Sequence, residues 1–185
     1  MKKILIMLSL FLPFTVFSEI KINTTDPSVY EKEIFAAAKN SNILGGVPID
    51  KQSFQIKDNN NTVGVFIAGK GFNANDDTVC FVGWVSGKEK TVKLIPTIGY
   101  GNWEAETCLN TEAVSLIPYD NRNILAVIYK IGSPNATGYE TVIFKINEEH
   151  LIVDDELTNR FGSEGIKTIK DLRNLINGKG YVENK

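Results

Sequence analysis

Residues 124–146 read ILAVIYKIGSPNATGYETVIFKI. Two apolar, β-branched runs, Ile124–Ile131 and Tyr139–Ile146, flank Gly132-Ser133-Pro134-Asn135, residue types that favour turn geometry. A parallel crossover needs a dozen or more residues, so a link this short makes the two strands antiparallel. The same grammar recurs upstream. Phe54 and Ile56 alternate with polar residues, Asp58-Asn59-Asn60-Asn61 turns the chain, and Val63–Ala68 returns it. Gly69–Asp77 reads as a loop. Further strands are expected at Thr78–Val85, Thr91–Ile95, Glu104–Leu109 and Ala113–Ile117, with a short edge strand at His150–Val153.

Helices bracket this region. Asp26 is placed to cap a helix, Pro27 fits its first position, and VYEKEIFAAAK (29–39) is a good helix former. Gly45-Gly46 and Pro48 bar its continuation. At the other end Thr168, with Asp171 three residues on, marks the start of a helix from Ile169 to about Asn177, and Gly178 fits the position just past it. One or two helical turns are expected at Asp154–Arg160. Together these predict an α+β fold: an antiparallel sheet of about six to eight strands, with an N-terminal helix and a C-terminal helix. Residues 19–185 read as a single domain, because the residues ahead of Gly45 are too few to fold alone.

Residues 1–18 read as a cleaved signal peptide. Lys2 and Lys3 precede the apolar run Ile4–Leu12, and Val16 and Ser18 fit the small-residue positions before a cleavage site. The run is shorter than the ~20 residues a membrane span requires. The expected location is therefore the periplasm or the exterior, with no membrane span after cleavage. In an oxidising compartment Cys80 and Cys108, the only two cysteines, are expected to form a disulfide. Redox-active dithiols are separated by only two residues, which these are not.

The chain carries 20 basic and 22 acidic residues, with 43% hydrophobic and 23% charged. That composition excludes disorder, and the acidic balance argues against nucleic acid as a partner. Two cysteines and one histidine cannot make a zinc site by themselves. Met1 and Met7 are the only methionines and both lie in the leader, which removes a thioether copper site. The oxygen-rich stretches 58–62 and 73–77 lack the glycine and glutamate of an EF-hand loop. Gly64, Gly69 and Gly71 lack the spacing of a phosphate loop. No cofactor and no metal are expected.

Catalytic groups are sparse. His150, the only histidine, reads as a surface residue beside a strand edge, and neither Ser86 nor Ser163 sits in a nucleophile elbow. Carboxylate pairs remain at Asp76/Asp77, Asp154/Asp155 and Glu104/Glu106, the last sharing one face if that segment is a regular strand. No catalytic residue is assigned.

Recognition is the remaining route. Tyr100 and Trp103 lie in a glycine-rich loop just before Cys108, and Phe72 lies among polar residues in the 69–77 loop. Aromatic side chains on anchored loops make strong contact residues. Trp103 folded back over the sheet edge is the competing arrangement, and Trp84 fits either core or surface. The sequence thus points to a non-catalytic binding protein, an inhibitor or immunity protein against a wall-degrading enzyme or delivered toxin. Its acidic balance suits a basic target such as lysozyme. The alternatives are an envelope hydrolase acting through paired carboxylates and a structural or small-ligand-binding envelope protein.

Overall fold

The computed structural model describes residues 20–178 apart from 90, 134, 148 and 149; the expected leader lies outside the described residues. The α+β class, with helix before and after antiparallel strands, is what the chain adopts. The strands number nine and divide into two sheets. The first sheet holds β1 (Ile20–Thr24), β2 (Leu44–Asp58), β3 (Asn61–Phe72), β4 (Thr78–Ser86) and β5 (Val92–Pro96), in that spatial order. The second holds β6 (Thr107–Tyr119), β7 (Arg122–Ser133), β8 (Ala136–Asn147) and β9 (His150–Val153), again in order. Every neighbouring pair is antiparallel.

The sheets pack face to face and helices cover both outer faces, giving four layers. Along β4, Cys80, Val82 and Trp84 point into the space between the sheets. There they meet Phe66 and Ala68 of β3, Leu125, Val127 and Tyr129 of β7, and Val142 and Phe144 of β8. The alternate residues Val79, Phe81 and Val85 point outward, onto Ile34 and Ala38 of α1 (Glu31–Asn40). On the far side Ile124, Ala126, Ile128 and Ile143 face Leu157 and Phe161 of α2 (Asp155–Phe161) and Leu172 of α3 (Ile169–Ile176). A strand buried on both faces has no solvent side to be polar. This is why β4 is apolar throughout Val79–Val85 instead of alternating.

Local chemistry sets the element ends. Asp26 accepts the Ser28 N–H at 2.9 Å and opens a single 3-10 turn, Pro27–Tyr30, that leads into α1. Gly46 lets β2 pass under the helix, because a Cβ there would overlap the Ala38 methyl. Asp120 and Asn121 both have positive φ, the backbone of a two-residue turn whose twist matches β6 and β7. Thr168 accepts the Asp171 N–H at 3.2 Å and donates to Asp171 Oδ2 at 2.6 Å, so α3 begins where the capping pair places it.

Beyond β9 the exposed border of β8 is closed by α2. The Thr158 hydroxyl accepts from Ile143 N at 3.0 Å and donates to Ile143 O at 3.2 Å. Thr141 N donates to Gly162 O at 3.0 Å. A helix thus satisfies main-chain groups that a further strand would otherwise pair.

Candidate functional site

The site is built where the chain crosses from one sheet to the other. Cys80, near the start of β4, is bonded to Cys108, near the start of β6. The β3–β4 loop (73–77) ends just before Cys80, and the β5–β6 crossover (97–106) ends just before Cys108. One covalent bond therefore fixes the bases of both loops. Cys80 also holds the start of the crossover through its backbone: its N–H donates to Ile98 O, and its carbonyl accepts from Thr97 N and Thr97 Oγ1, all at 2.9 Å.

Both loops are stiffened from within. Asn73 Oδ1 accepts from Asn75 N at 2.9 Å and from Asp77 N at 3.0 Å, closing the β3–β4 loop on itself. In the crossover a 3-10 turn, Gly101–Trp103, is closed by Gly99 N to Trp103 O at 3.0 Å and Glu104 N to Gly101 O at 3.2 Å. The loops face one another across an open depression of about 540 Å³ lined by Asn73–Asn75, Gly99–Gly101, Glu104 and Ala105. Glu104 of this lining is exposed, as are Asp76 and Asp77 further along the β3–β4 loop.

The three aromatic residues singled out in the sequence occupy different settings. Tyr100 is half-buried, and its hydroxyl lies within hydrogen-bond reach of two carbonyls at the end of α1, Ser41 O at 3.1 Å and Asn42 O at 3.0 Å. Trp103 packs against the inter-sheet core and closes its end, with Nε1 donating to Glu140 Oε1 at 3.2 Å. Trp103 thus folds back over the sheet, and Tyr100 anchors the crossover to the first helix. Phe72 is 46% exposed at the end of β3. Trp84 is core.

Glu140 is the site residue that sequence reasoning missed. It follows the inward phase of Val142 and Phe144 on β8, and a carboxylate in a core phase was the available signal. Only 8% exposed, its carboxyl is pushed up by burial, drawn partly back by the Trp103 bond, and raised again by the nearby Glu106 charge. Burial also raises Glu106, whose Oε2 is enclosed without a hydrogen-bond partner. The partner of Glu106 is therefore Glu140 and not Glu104. Residues 104–106 form a turn, with Glu106 N donating to Trp103 O at 3.1 Å, so Glu104 and Glu106 do not share a strand face.

Asp154 and Asp155 separate in role, while Asp76 and Asp77 are both exposed. Asp154 is buried and caps α2 through Leu157 N at 3.3 Å, while Arg122 Nη2 donates to it at 3.0 Å; Asp155 faces solvent. His150 is exposed on β9, its Nδ1 3.4 Å from Lys93 Nζ of β5. Among the described residues, no three His, Cys, Asp or Glu side chains gather as metal ligands. No helix among them is long and apolar enough to cross a membrane. Comparison of this chain with protein-family models, curated proteins and solved structures found no match.

Proposed function

We propose that this chain is a non-catalytic binding protein of the periplasm or exterior that acts through its disulfide-tied end, as an inhibitor or immunity protein against a basic wall-degrading enzyme or delivered toxin. One observation carries this reading: two self-bonded loops, pinned at their bases by Cys80–Cys108, flank one depression and between them carry three exposed carboxylates. Loops ordered before contact lose little entropy on binding. Asp76, Asp77 and Glu104 attract a cationic surface and raise its rate of encounter. Phe72 supplies exposed apolar area, and Tyr100 and Trp103 hold the crossover in shape.

The test is retention of a protein from total envelope and secreted fractions on the immobilised, oxidised protein. Wild type retains a basic partner. The triple variant Asp76→Ala/Asp77→Ala/Glu104→Ala, still folded, retains at least tenfold less. Equal retention by the two proteins refutes the assignment of this end.

The Glu106–Glu140 pair favours a second reading, an envelope hydrolase. A raised carboxyl beside a second carboxylate is the pattern of acid–base catalysis. Here the Trp103 indole occupies Glu140 and burial withholds it from a large substrate, so the binding role is favoured. Release of soluble fragments from purified cell wall by wild type, abolished in both Glu106→Gln and Glu140→Gln, would reverse that preference.

A further inference from the structure

The β2–β3 turn lies at the end of β3 away from the disulfide-tied loops and carries a modification motif that the binding role leaves unused. Three stretches of the chain read Asn-x-Thr, beginning at Asn23, Asn60 and Asn135. In an exported chain this triplet is the acceptor signature for N-linked glycosylation. An amide nitrogen shares its lone pair with the carbonyl and is a poor nucleophile. The transferring enzyme must therefore take hold of the carboxamide, which has to be exposed and free of competing bonds. Asn23 lies inside β1, its main chain paired with Gln55 of β2. Asn60 and Asn135 are exposed in turns.

The geometry at Asn60 suits that demand. Asp58 pairs with Asn61, and Asn59-Asn60 turns the chain between them, with Asn59 at a φ of 53°. Asn59 is committed locally, its Nδ2 donating to Asp58 Oδ1 at 3.1 Å. The Asn60 carboxamide makes no hydrogen bond to any described residue. Thr62 Oγ1 accepts from Gln55 Nε2 at 3.2 Å, which leaves its O–H to donate. Asp58 and Thr62 line one open depression of about 560 Å³, with Gly87 and Lys88 also on its wall. One surface of an enzyme seated there reaches the residues on both sides of Asn60. The position two residues ahead separates the three sites. It holds Lys21 before Asn23, Asp58 before Asn60 and Ser133 before Asn135. A carboxylate there gives a cationic enzyme group a charge-assisted anchor, which serine lacks and lysine opposes.

Resting on the export reading above, we infer that Asn60 is an N-glycan acceptor, selected over Asn23 and Asn135 by the Asp58 carboxylate. The donor is an oligosaccharide carried on a polyprenyl diphosphate, and an oligosaccharyltransferase performs the transfer. The bond from Asn60 Nδ2 to the anomeric carbon of the first sugar forms as the bond from that carbon to the phosphate oxygen breaks. The polyprenyl diphosphate leaves with the electron pair and takes up the proton lost from Nδ2. The glycan projects from the hairpin tip. Phe72, at the loop end of β3, is roughly 35 Å away at ~3.3 Å per residue, so the proposed binding end stays uncovered.

The test is transfer to the folded, oxidised protein by a purified bacterial oligosaccharyltransferase supplied with a polyprenyl-diphosphate-linked oligosaccharide. Intact mass is expected to rise by one oligosaccharide, and peptide mass spectrometry to place it on Asn60. Asn60→Gln and Thr62→Val, each melting as wild type does, abolish the addition. Asp58→Asn slows it at least tenfold, whereas Asn23→Gln and Asn135→Gln leave it unchanged. No addition, or an addition that survives Asn60→Gln, overturns the acceptor assignment. Undiminished transfer to Asp58→Asn, or equal modification of all three asparagines, overturns the selection by Asp58. The protein from its own cells separates this inference from the export reading. Leader-free protein that lacks the glycan overturns the acceptor role. Protein that keeps its leader and lacks the glycan removes the export reading, and with it the modification that rests on it.

Discussion

Trp103 Nε1 donates to Glu140 Oε1 across 3.2 Å, and Glu106 adds a second carboxyl to the same enclosed corner. Burial raises both carboxyls above their ordinary range, so the folded chain holds these protons more tightly than the unfolded chain does. The stabilisation is complete below the ordinary carboxylate range and is lost as pH rises through the raised folded values. In Glu140→Gln the amide oxygen still accepts from Trp103 and no charge develops. The variant's melting temperature, relative to wild type, is therefore expected to be higher at about pH 8 than at about pH 5. A difference that stays constant over that interval contradicts the assignment. Calorimetry at the two pH values decides it.

Cys80 and Cys108 close a loop with a sequence separation of 28. Chain entropy assigns about 3–4 kcal/mol to such a crosslink. Urea unfolding of the oxidised protein and of Cys80→Ser/Cys108→Ser should differ by that amount. The tryptophan emission of Trp103, at the end of the linked region, should shift before the global transition in the variant. Coincident transitions of equal midpoint would show that the bond contributes nothing to this end of the sandwich.

Gly46 and Ala38 share a space that holds one methyl group. Gly46→Ala is expected to cost about 1–3 kcal/mol by overpacking α1 against β2. Ala38→Gly in the same chain should recover part of that loss, although glycine alone weakens the helix by about 1 kcal/mol. The double-mutant cycle measures this: a coupling energy of zero would mean that the helix does not rest on Gly46.

Asp154 serves α2 as cap and Arg122 as counter-ion. Asp154→Ala should lower stability by about 1–2 kcal/mol, and Asp154→Asn by much less, because asparagine caps helices well. Equal losses in the two variants would transfer the effect from the cap to the ion pair.

Much of the fold was legible because its turns and caps are written in side chains that bond to nearby main chain. Asp26, Thr168 and Asp154 each start a helical element from a position marked in the sequence, and β9 forms at His150–Val153 as expected. The division into two sheets was not legible. It depends on which faces of β3, β4, β7 and β8 meet, and doubly buried strands carry no alternation to reveal a face. Gly69 misled for a related reason. It reads as the start of a loop, yet β3 runs through it to Phe72, because Gly69 makes room for the Phe81 ring. A break also falls between the strands expected at Glu104–Leu109 and Ala113–Ile117. It is a pair of register shifts within β6, which joins two expected strands into one. At the site, the pairing of Glu140 with Trp103 joins residues far apart in sequence, and only the crossover between sheets brings them together.

The closure of β8 by Thr158 reaches past folding to the behaviour of chains in a crowd. Were proteolysis to sever the chain after Val153, the Ile143 and Thr141 main-chain groups now held by α2 and the residue that follows it would be laid bare. Such groups recruit strands from other molecules. That small helix is accordingly what keeps these groups of β8 from pairing with another chain.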